Sequence, residues 1–374
     1  MNWMGNGVKF VQLVFTVVLS TGFASAEDDR IHVVLLNPDK PNTWFWEMTT
    51  DFMHSAAKDL DIELEILYSN RNHMLTVRQA VEVTSRETPP DYILTGNEKG
   101  SAGGVIQAAQ HAGVKVFLFN NAFVNDQDIM HFGKPRTTYP MWIGQYLPDN
   151  FSAGYKMGKV LIEQGKAKGL AAPDGTLQIL AIAGAFNTHA SSARVEGLKA
   201  AVNEHSDQAT LIQVVSGDWS EQTAYEKSLG LIARYEHLGA IWGANDSTAF
   251  GAMRVAQEIG KIPGKDILFA GCGWSSLGIN KVKDGTLATT VGGHFMDGAW
   301  SLVMLYDYHH GKDFNNDSYT PAMYSIDRHN IDQYMNNLGP MEWDAIDFTQ
   351  FSKTLNPSLE SYDFSLDAVL KQFE

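Results

Sequence analysis

The sequence predicts an α/β protein built from two similar halves, each a parallel sheet covered by helices on both faces. Three observations carry this. Short apolar runs alternate with segments of helical spacing. The alternation starts afresh in the second half with different residues. Apolar runs also end in polar tips that lead straight into a helix. Residues 240–252, AIWGANDSTAFGA, show the last feature most sharply: a strand with Ile241 and Trp242, the tip Asn245-Asp246, then a helix of small residues. Open α/β sheets hold their ligands at the carboxyl ends of strands, where this pair falls.

Taken in order, Ile31–Leu36 is an apolar strand ending at Asn37-Pro38. Met48, Phe52, Ala56 and Leu60 recur at four and predict a helix over 44–60. Strand Glu63–Tyr68, helix Leu75–Arg86, strand Asp91–Thr95, helix Ala102–Ala112 and strand Val114–Phe119 complete the first half. The segment 139–153 lies between the halves, and 164–176, rich in Gly, Lys and Ala, reads as a loop. The second half runs strand Gln178–Ala183, helix Ser191–Val202, strand Leu211–Val215, helix Glu221–Tyr235 and strand Ala240–Gly243. Helix Thr248–Ile259, strand Ile267–Ala270, helix Gly278–Lys283 and strand Ala288–Val291 follow, and one more helix runs from Phe295 to Tyr308. The tail 320–374 is mixed, and its aromatic residues Trp343, Phe348, Phe351, Tyr362 and Phe364 suggest packing onto the body.

The first residues read as an export signal. Lys9 is the only charge before the apolar run Phe10–Leu19, and Ala24-Ser25-Ala26 forms a small-residue cleavage box. The run is too short to span a bilayer. Removing residues 1–26 leaves 348 residues and moves the net charge from −15 to −16, a length suited to about two domains. The acidic balance argues against nucleic-acid partners, which require a basic patch. One cysteine, Cys272, allows no internal disulfide, and its apolar surroundings mark it as a buried thiol. No metal and no cofactor is expected. Asp313-Phe314-Asn315-Asn316-Asp317 has the oxygen spacing of a calcium loop, but Ser318 stands where glycine is needed and Tyr324 where the bidentate acid is needed. No phosphate-binding loop and no nucleophile elbow is complete.

Four motifs, in order and sensibly spaced, carry a resemblance. They are Asn42-Thr43-Trp44-Phe45-Trp46 before a helix ending at Leu60; Asp149-Asn150 with Gly154; Ser191, Arg194 and Gly197; and Asn245-Asp246 with Ala249 and Gly251-Ala252, followed by the run 283–290. Together they cover nearly all of 31–311, and the chain resembles the type I periplasmic binding proteins, ribose- and galactose-binding branch. The resemblance implies a clamshell of two Rossmann-like lobes joined by three crossings and closing on a ligand by a hinge motion. The amino lobe would be 27–148 plus 294–322, and the carboxyl lobe 149–293 plus 323–374.

A sugar presents hydroxyls that need directed hydrogen bonds and C–H faces that lie flat on aromatic rings. Trp44, Phe45 and Trp46 stand where the family's stacking aromatics stand, and three consecutive aromatics cannot all face one core. Trp219 matches a stacking position in the other lobe. Asn120-Asn121 and Asn245-Asp246 are the matching strand tips, the latter also able to cap the helix that follows. Asn42, Ser192, Arg194, Trp274 and His294 complete the candidate ligand set. Ribose binders carry an acidic–basic pair where Asn120-Asn121 stand, an arginine where Ser192 falls and an acid where Gly273 falls. Up to three charged clamps are therefore replaced by neutral groups.

The expected function is capture of a small polar, sugar-like solute in the periplasm for an ABC-type importer, by a monomer with no catalytic residues. The alternative is a receptor that presents the solute to a membrane sensor in place of a permease, as the autoinducer-2 receptor of the same family does. A glycosidase needs two carboxylates facing each other across the cleft, and Asp246 is the single acid expected there. A related repressor would need a helix-turn-helix where the export signal stands.

Overall fold

Two six-stranded sheets account for every named strand of the computed structural model, which describes Met1 and residues 30–123, 126–314, 318–339 and 341–373. The expected export signal and Asn315–Asp317 of the calcium-like loop lie outside the described residues. The first half supplies β1 (Ile31–Asn37), α1 (Trp44–Asp59), β2 (Ile62–Tyr68), α2 (His73–Thr84), β3 (Tyr92–Thr95), α3 (Ala102–Ala112), β4 (Lys115–Phe119), α4 (Asp126–Phe132) and β5 (Trp142–Tyr146). The second supplies α5 (Asn150–Lys168), β6 (Leu177–Ala183), α6 (His189–Glu204), β7 (Ala209–Ser216), α7 (Glu221–Arg234), β8 (Leu238–Gly243), α8 (Asp246–Glu258), β9 (Leu268–Cys272), α9 (Ser276–Lys283) and β10 (Thr289–Gly292). Then come α10 (Asp297–His309), β11 (Ser318–Tyr319), β12 (Tyr324–Ile326), α11 (Ile331–Asn337) and α12 (Leu366–Leu370).

Strand order is β11-β5-β4-β3-β1-β2 in one sheet and β12-β10-β9-β8-β6-β7 in the other. All pairings are parallel except β10 with β12. The fold is two α/β lobes. Central strands such as β3, β8 and β9 are buried along their whole length, which is why they read as unbroken apolar runs rather than alternating ones. The chain passes between the sheets after β5, after β10 and between β11 and β12, three crossings in all.

Two segments differ from expectation. Strand β5 occupies part of 139–153, and α5 runs to Lys168, into the stretch read as a loop. Gly154, Gly158 and Gly165 lower the helix propensity of α5, yet Gly154 is required by packing against a neighbouring backbone. A Cβ on Gly154 would lie 1.9 Å from the Arg194 carbonyl oxygen, and one on Gly197 would lie 2.0 Å from that of Phe151. The glycines let α5 and α6 approach backbone to backbone.

The tail also departs from the expected division. β12 and α11 stay with the carboxyl lobe, where Tyr334 meets Trp274 edge to face at 5.0 Å. From Trp343 onward most contacts are with the amino lobe, although Leu366 N donates to Tyr324 OH of β12 at 3.3 Å. Trp343 lies 5.4 Å from Phe52 of α1, Ser55 Oγ donates to Asp344 at 2.6 Å, and Phe364 stacks on Trp300 of α10 at 5.0 Å. The expected aromatics thus pack onto the body, but most of 323–374 is fastened to the lobe opposite the one expected. The cause is an aromatic socket around Trp300 and a buried carboxylate on α10. Asp307 accepts from Ser352 Oγ (2.6 Å), the backbone N–H groups of Lys353 (2.8 Å) and Thr354 (2.9 Å), and Tyr362 OH (3.0 Å). Helix α11 and Trp343 therefore pack on opposite lobes.

Asp307→Ala strands these donors in the interior. We expect a loss of about 2–4 kcal/mol of stability in urea denaturation, with the lobes' own sheets intact by circular dichroism.

Candidate functional site

The carboxyl ends of the two sheets face each other across a cavity of about 170 Å³, room for one small molecule. Most wall residues sit just beyond a strand or at the start of the helix that follows it, because the parallel sheets direct their βα turns to one edge.

Arg194 anchors the floor. It is buried on α6, and its Nε donates to Asn150 Oδ1 at 2.8 Å, one terminal nitrogen to the Ala244 carbonyl at 2.8 Å and the other to His294 Nε2 at 3.2 Å. A guanidinium can only donate, so Nε2 of His294 accepts and the ring proton sits on Nδ1, which has no partner. Burial, reinforced by the Arg194 charge, holds the His294 pKa well below the usual imidazole value, so the ring is neutral.

The amino-lobe wall carries the charge. Glu98 follows β3, and burial pushes its carboxyl up to about 7, opposed by Arg71 and Lys99 and assisted by Asp39 and Asp218. Asn121 Nδ2 donates to Glu98 at 3.2 Å, while Asn121 Oδ1 accepts from the Ala190 backbone N–H across the cleft at 3.2 Å. Arg71, in the turn after β2, reaches the other lobe too: it donates to the Asp218 carbonyl at 2.9 Å and stands 3.5 Å from that side chain's carboxylate. Asn120 holds a left-handed backbone (φ 65°) at the tip of β4.

The aromatic residues divide their work. Trp44 Nε1 donates to Ser247 Oγ on α8 at 3.1 Å, and its ring tip points at Gly273; a Cβ there would lie 2.3 Å from the indole. Phe45 packs against the His294 ring at 4.7 Å. Trp46 is nearly buried and meets Phe119 edge to face at 5.9 Å. Trp219 rests one face on Gly184, where a Cβ would be 2.3 Å from the ring, and its carbonyl accepts from Asn245 Nδ2 at 3.3 Å. The lobes therefore touch at several points, and the cleft is closed.

Of the residues expected from the sequence, Trp44, Phe45, Trp46, Asn120, Asn121, Arg194, Trp219, Asn245 and His294 come together in this wall. Four do not. Asn42 is an exposed turn residue with φ 61°. Ser192 Oγ turns back to the Thr188 and His189 carbonyls of its own helix. Asp246 is fully buried behind the wall, accepting from Ser275 N (2.9 Å), Ser275 Oγ (2.7 Å) and Thr290 Oγ1 (2.8 Å). Trp274 is also fully buried, and its indole donates to the Thr290 and Tyr324 carbonyls. Asn245 is the capping residue of the pair: its Oδ1 takes Thr248 N at 2.9 Å.

Asp39, Arg71, Glu98, Ser247 and Cys272 also line the cleft and were not anticipated. The wall is thus more charged than the strand tips alone suggested, because the charges enter from other turns. The polar run Ser69-Asn70-Arg71-Asn72 after β2 was the available signal for Arg71. Burial pushes the Cys272 thiol up to about 12, which leaves it unreactive at neutral pH. Asp313 of the calcium-like loop is held by both terminal nitrogens of Arg136 at 2.7 Å. Among the described residues no three His, Cys, Asp or Glu side chains are grouped to hold a metal ion, and no helix is long and apolar enough to cross a membrane.

The chain matches the periplasmic binding protein domain over residues 33–313. It is 24% identical over 288 residues to the ribose import binding protein RbsB of Salmonella typhimurium, covering 76% of this chain and 87% of that protein. Among solved structures, a periplasmic sugar-binding protein from Pseudomonas fluorescens aligns with a TM-score of 0.81 at 32% identity, over 91% of this chain and 99% of that one. A solute-binding protein from Actinobacillus succinogenes with bound D-allose shares the fold at a TM-score of 0.69 and 19% identity, over 82% of this chain and 100% of that one.

Two outcomes test the closed geometry. Gly273→Ala, which also strains a φ of 136°, should keep Trp44 from seating and widen the ligand-free particle in small-angle scattering, at a cost of about 1–3 kcal/mol to closure. Glu98 retains its proton in the folded state between the ordinary value of 4.5 and about 7, whereas the unfolded chain has released it. Stability should therefore fall as pH rises through that window, and Glu98→Gln should remove this part of the fall.

Proposed function

This chain belongs to the periplasmic binding protein family, and from that premise we propose that its cleft captures one sugar-like molecule and delivers it to an ABC-type importer. The observation that carries the reading is the composition of the closed cleft: acceptors and donors converge from the turns after β1, β2, β3 and β4, and the Trp219 ring faces them from the other lobe. Hydroxyls need the first and C–H faces need the second. Trp219 and the polar groups of the amino-lobe turns lie on opposite lobes, so closure brings both kinds of contact to bear at once.

The family is one of binding proteins, and the protein acts by binding, not by catalysis. Relatives named for sugar import favour a permease over a membrane sensor as the receiving partner. Residues 1–26 act as the export signal that places the mature chain in the periplasm, where it works as a monomer without cofactor. Its acidic charge, −15 for the full chain and −16 without residues 1–26, keeps it from nucleic acid. The lobes divide as the sheets do, with residues 343–373 assigned to the amino lobe.

Isothermal titration with D-ribose, D-allose, D-galactose, L-arabinose and myo-inositol tests the reading. One saturable event per chain is expected for at least one of them, with the sugar recovered unchanged; silence with all five, or conversion of any, refutes it. Trp219→Ala should weaken that binding by about 1–3 kcal/mol without unfolding the protein, while Ser192→Ala should leave it unaltered.

A further inference from the structure

Most polar side chains of the cleft are already committed to the protein. Asn245 is used at both ends, by Thr248 N and the Trp219 carbonyl. Asn121 is used at both ends, by Glu98 and Ala190 N. Arg194 spends one N–H of each nitrogen on Asn150, Ala244 and His294. Acceptors with capacity to spare are concentrated on the amino lobe. Glu98 takes a single side-chain bond, through Oε2, and Asp39 takes its bond from Lys40 N through Oδ1. Glu98 is the more enclosed of the two and the one connected across the cleft.

We propose that Glu98 is the specificity-determining residue of this cleft: its free carboxylate oxygen accepts a hydroxyl of a neutral ligand, turns away ligands with an acid at that edge, and passes the contact through Asn121 to the backbone of α6. An ionised carboxylate accepts and cannot donate, so the ligand edge opposite it must present an O–H. A second carboxylate there would meet Glu98 and Asp39 with like charge in an enclosed space. The amide of Asn121 is held with its nitrogen toward Glu98 and its oxygen toward Ala190 N, and it cannot flip without losing both bonds. The bond to Ala190 N spans the lobes, so closure holds the amide that bonds Glu98, and a ligand hydroxyl on Glu98 favours that state. This assignment rests on the sugar reading for its ligand class.

The groups that face Glu98 are Asp39 from the turn after β1, Arg71 from that after β2, Lys99 beside it and Asp218 from the opposite lobe. With the carboxyl held near neutrality by burial, a hydroxyl donor draws it toward the ionised form, because charge-assisted bonds are the stronger kind. Affinity should rise with pH across neutrality.

The test is calorimetry of wild type, Glu98→Gln and Glu98→Asp at pH 6 and pH 8, with the five sugars above and with D-galacturonate as the acidic probe. The expected result is binding of a neutral sugar and not of galacturonate, several-fold tighter at pH 8. Glu98→Gln should bind at least tenfold more weakly at pH 8 and lose the pH dependence, and Glu98→Asp should restore that dependence in part. Equal affinity of wild type and Glu98→Gln, or preferential binding of galacturonate, overturns the assignment. If no sugar binds, the sugar reading fails and Glu98 is judged by native mass spectrometry of protein taken from its host periplasm. Wild type should then carry a small neutral solute that Glu98→Gln lacks; equal occupancy, an acidic solute, or none overturns the assignment.

Discussion

The buried guanidinium of Arg194 is the constraint on which the rest of the cleft depends. It joins three pieces of chain: Asn150 at the end of the first crossing, Ala244 at the tip of β8, and His294 at the second crossing. All three partners are neutral, so the charge is offset by directed bonds rather than by an ion pair. Removing a single acceptor would strand a buried cation, a more costly defect than losing a surface bridge. The glycines of α5 and α6 serve this arrangement, because only backbone contact between the helices brings Arg194 to the level of Asn150. Helix packing thus sets the floor of the site, and the floor fixes the tautomer of His294.

Above that floor, closure is made by short polar contacts that each need one permissive backbone. Trp44 reaches Ser247 because Gly273 offers no side chain. Arg71 reaches Asp218 with both residues in left-handed conformations, φ 62° and 49°. Asn121 reaches the start of α6 through a backbone N–H, a donor that no substitution at Ala190 short of proline would remove. At the cleft the lobes meet through single bonds and ring edges, while behind it one apolar cluster runs from Phe52 through Phe295 to Trp274.

Much of this was legible in the sequence, and the boundary between what was and was not has physical causes. Buried parallel strands are continuous apolar runs, so both sheets were visible; the tips that follow them carry Asn120, Asn121 and Asn245, so the edge of the site was visible too. The errors fall where one residue type serves two ends. Asp246 and Asn245 are adjacent polar residues before a helix, and spacing cannot say that one caps while the other points back to Ser275 and Thr290. Trp274 and Trp219 both follow a strand, yet one ring lies in the core and the other in the cleft. Arg71 and Glu98 were missed because their turns have no periodicity, and their roles arise from tertiary approach alone. Helix α5 was half lost because its glycines lower local propensity in favour of contacts that only the folded structure contains.

The tail is fastened to both lobes. Tyr334 rests on Trp274, one residue from the Gly273 bed of Trp44, while Trp343 is wedged at 5.4 Å against both Phe52 and Phe295 of the amino-side packing. Trp343 touches Phe295 in the second crossing, so the tail is fastened beside that crossing rather than at the lips of the cleft. Ring contacts run from Tyr334 and Trp274 through Phe295 to Trp343, so the aromatic packing behind the cleft is continuous from one lobe to the other.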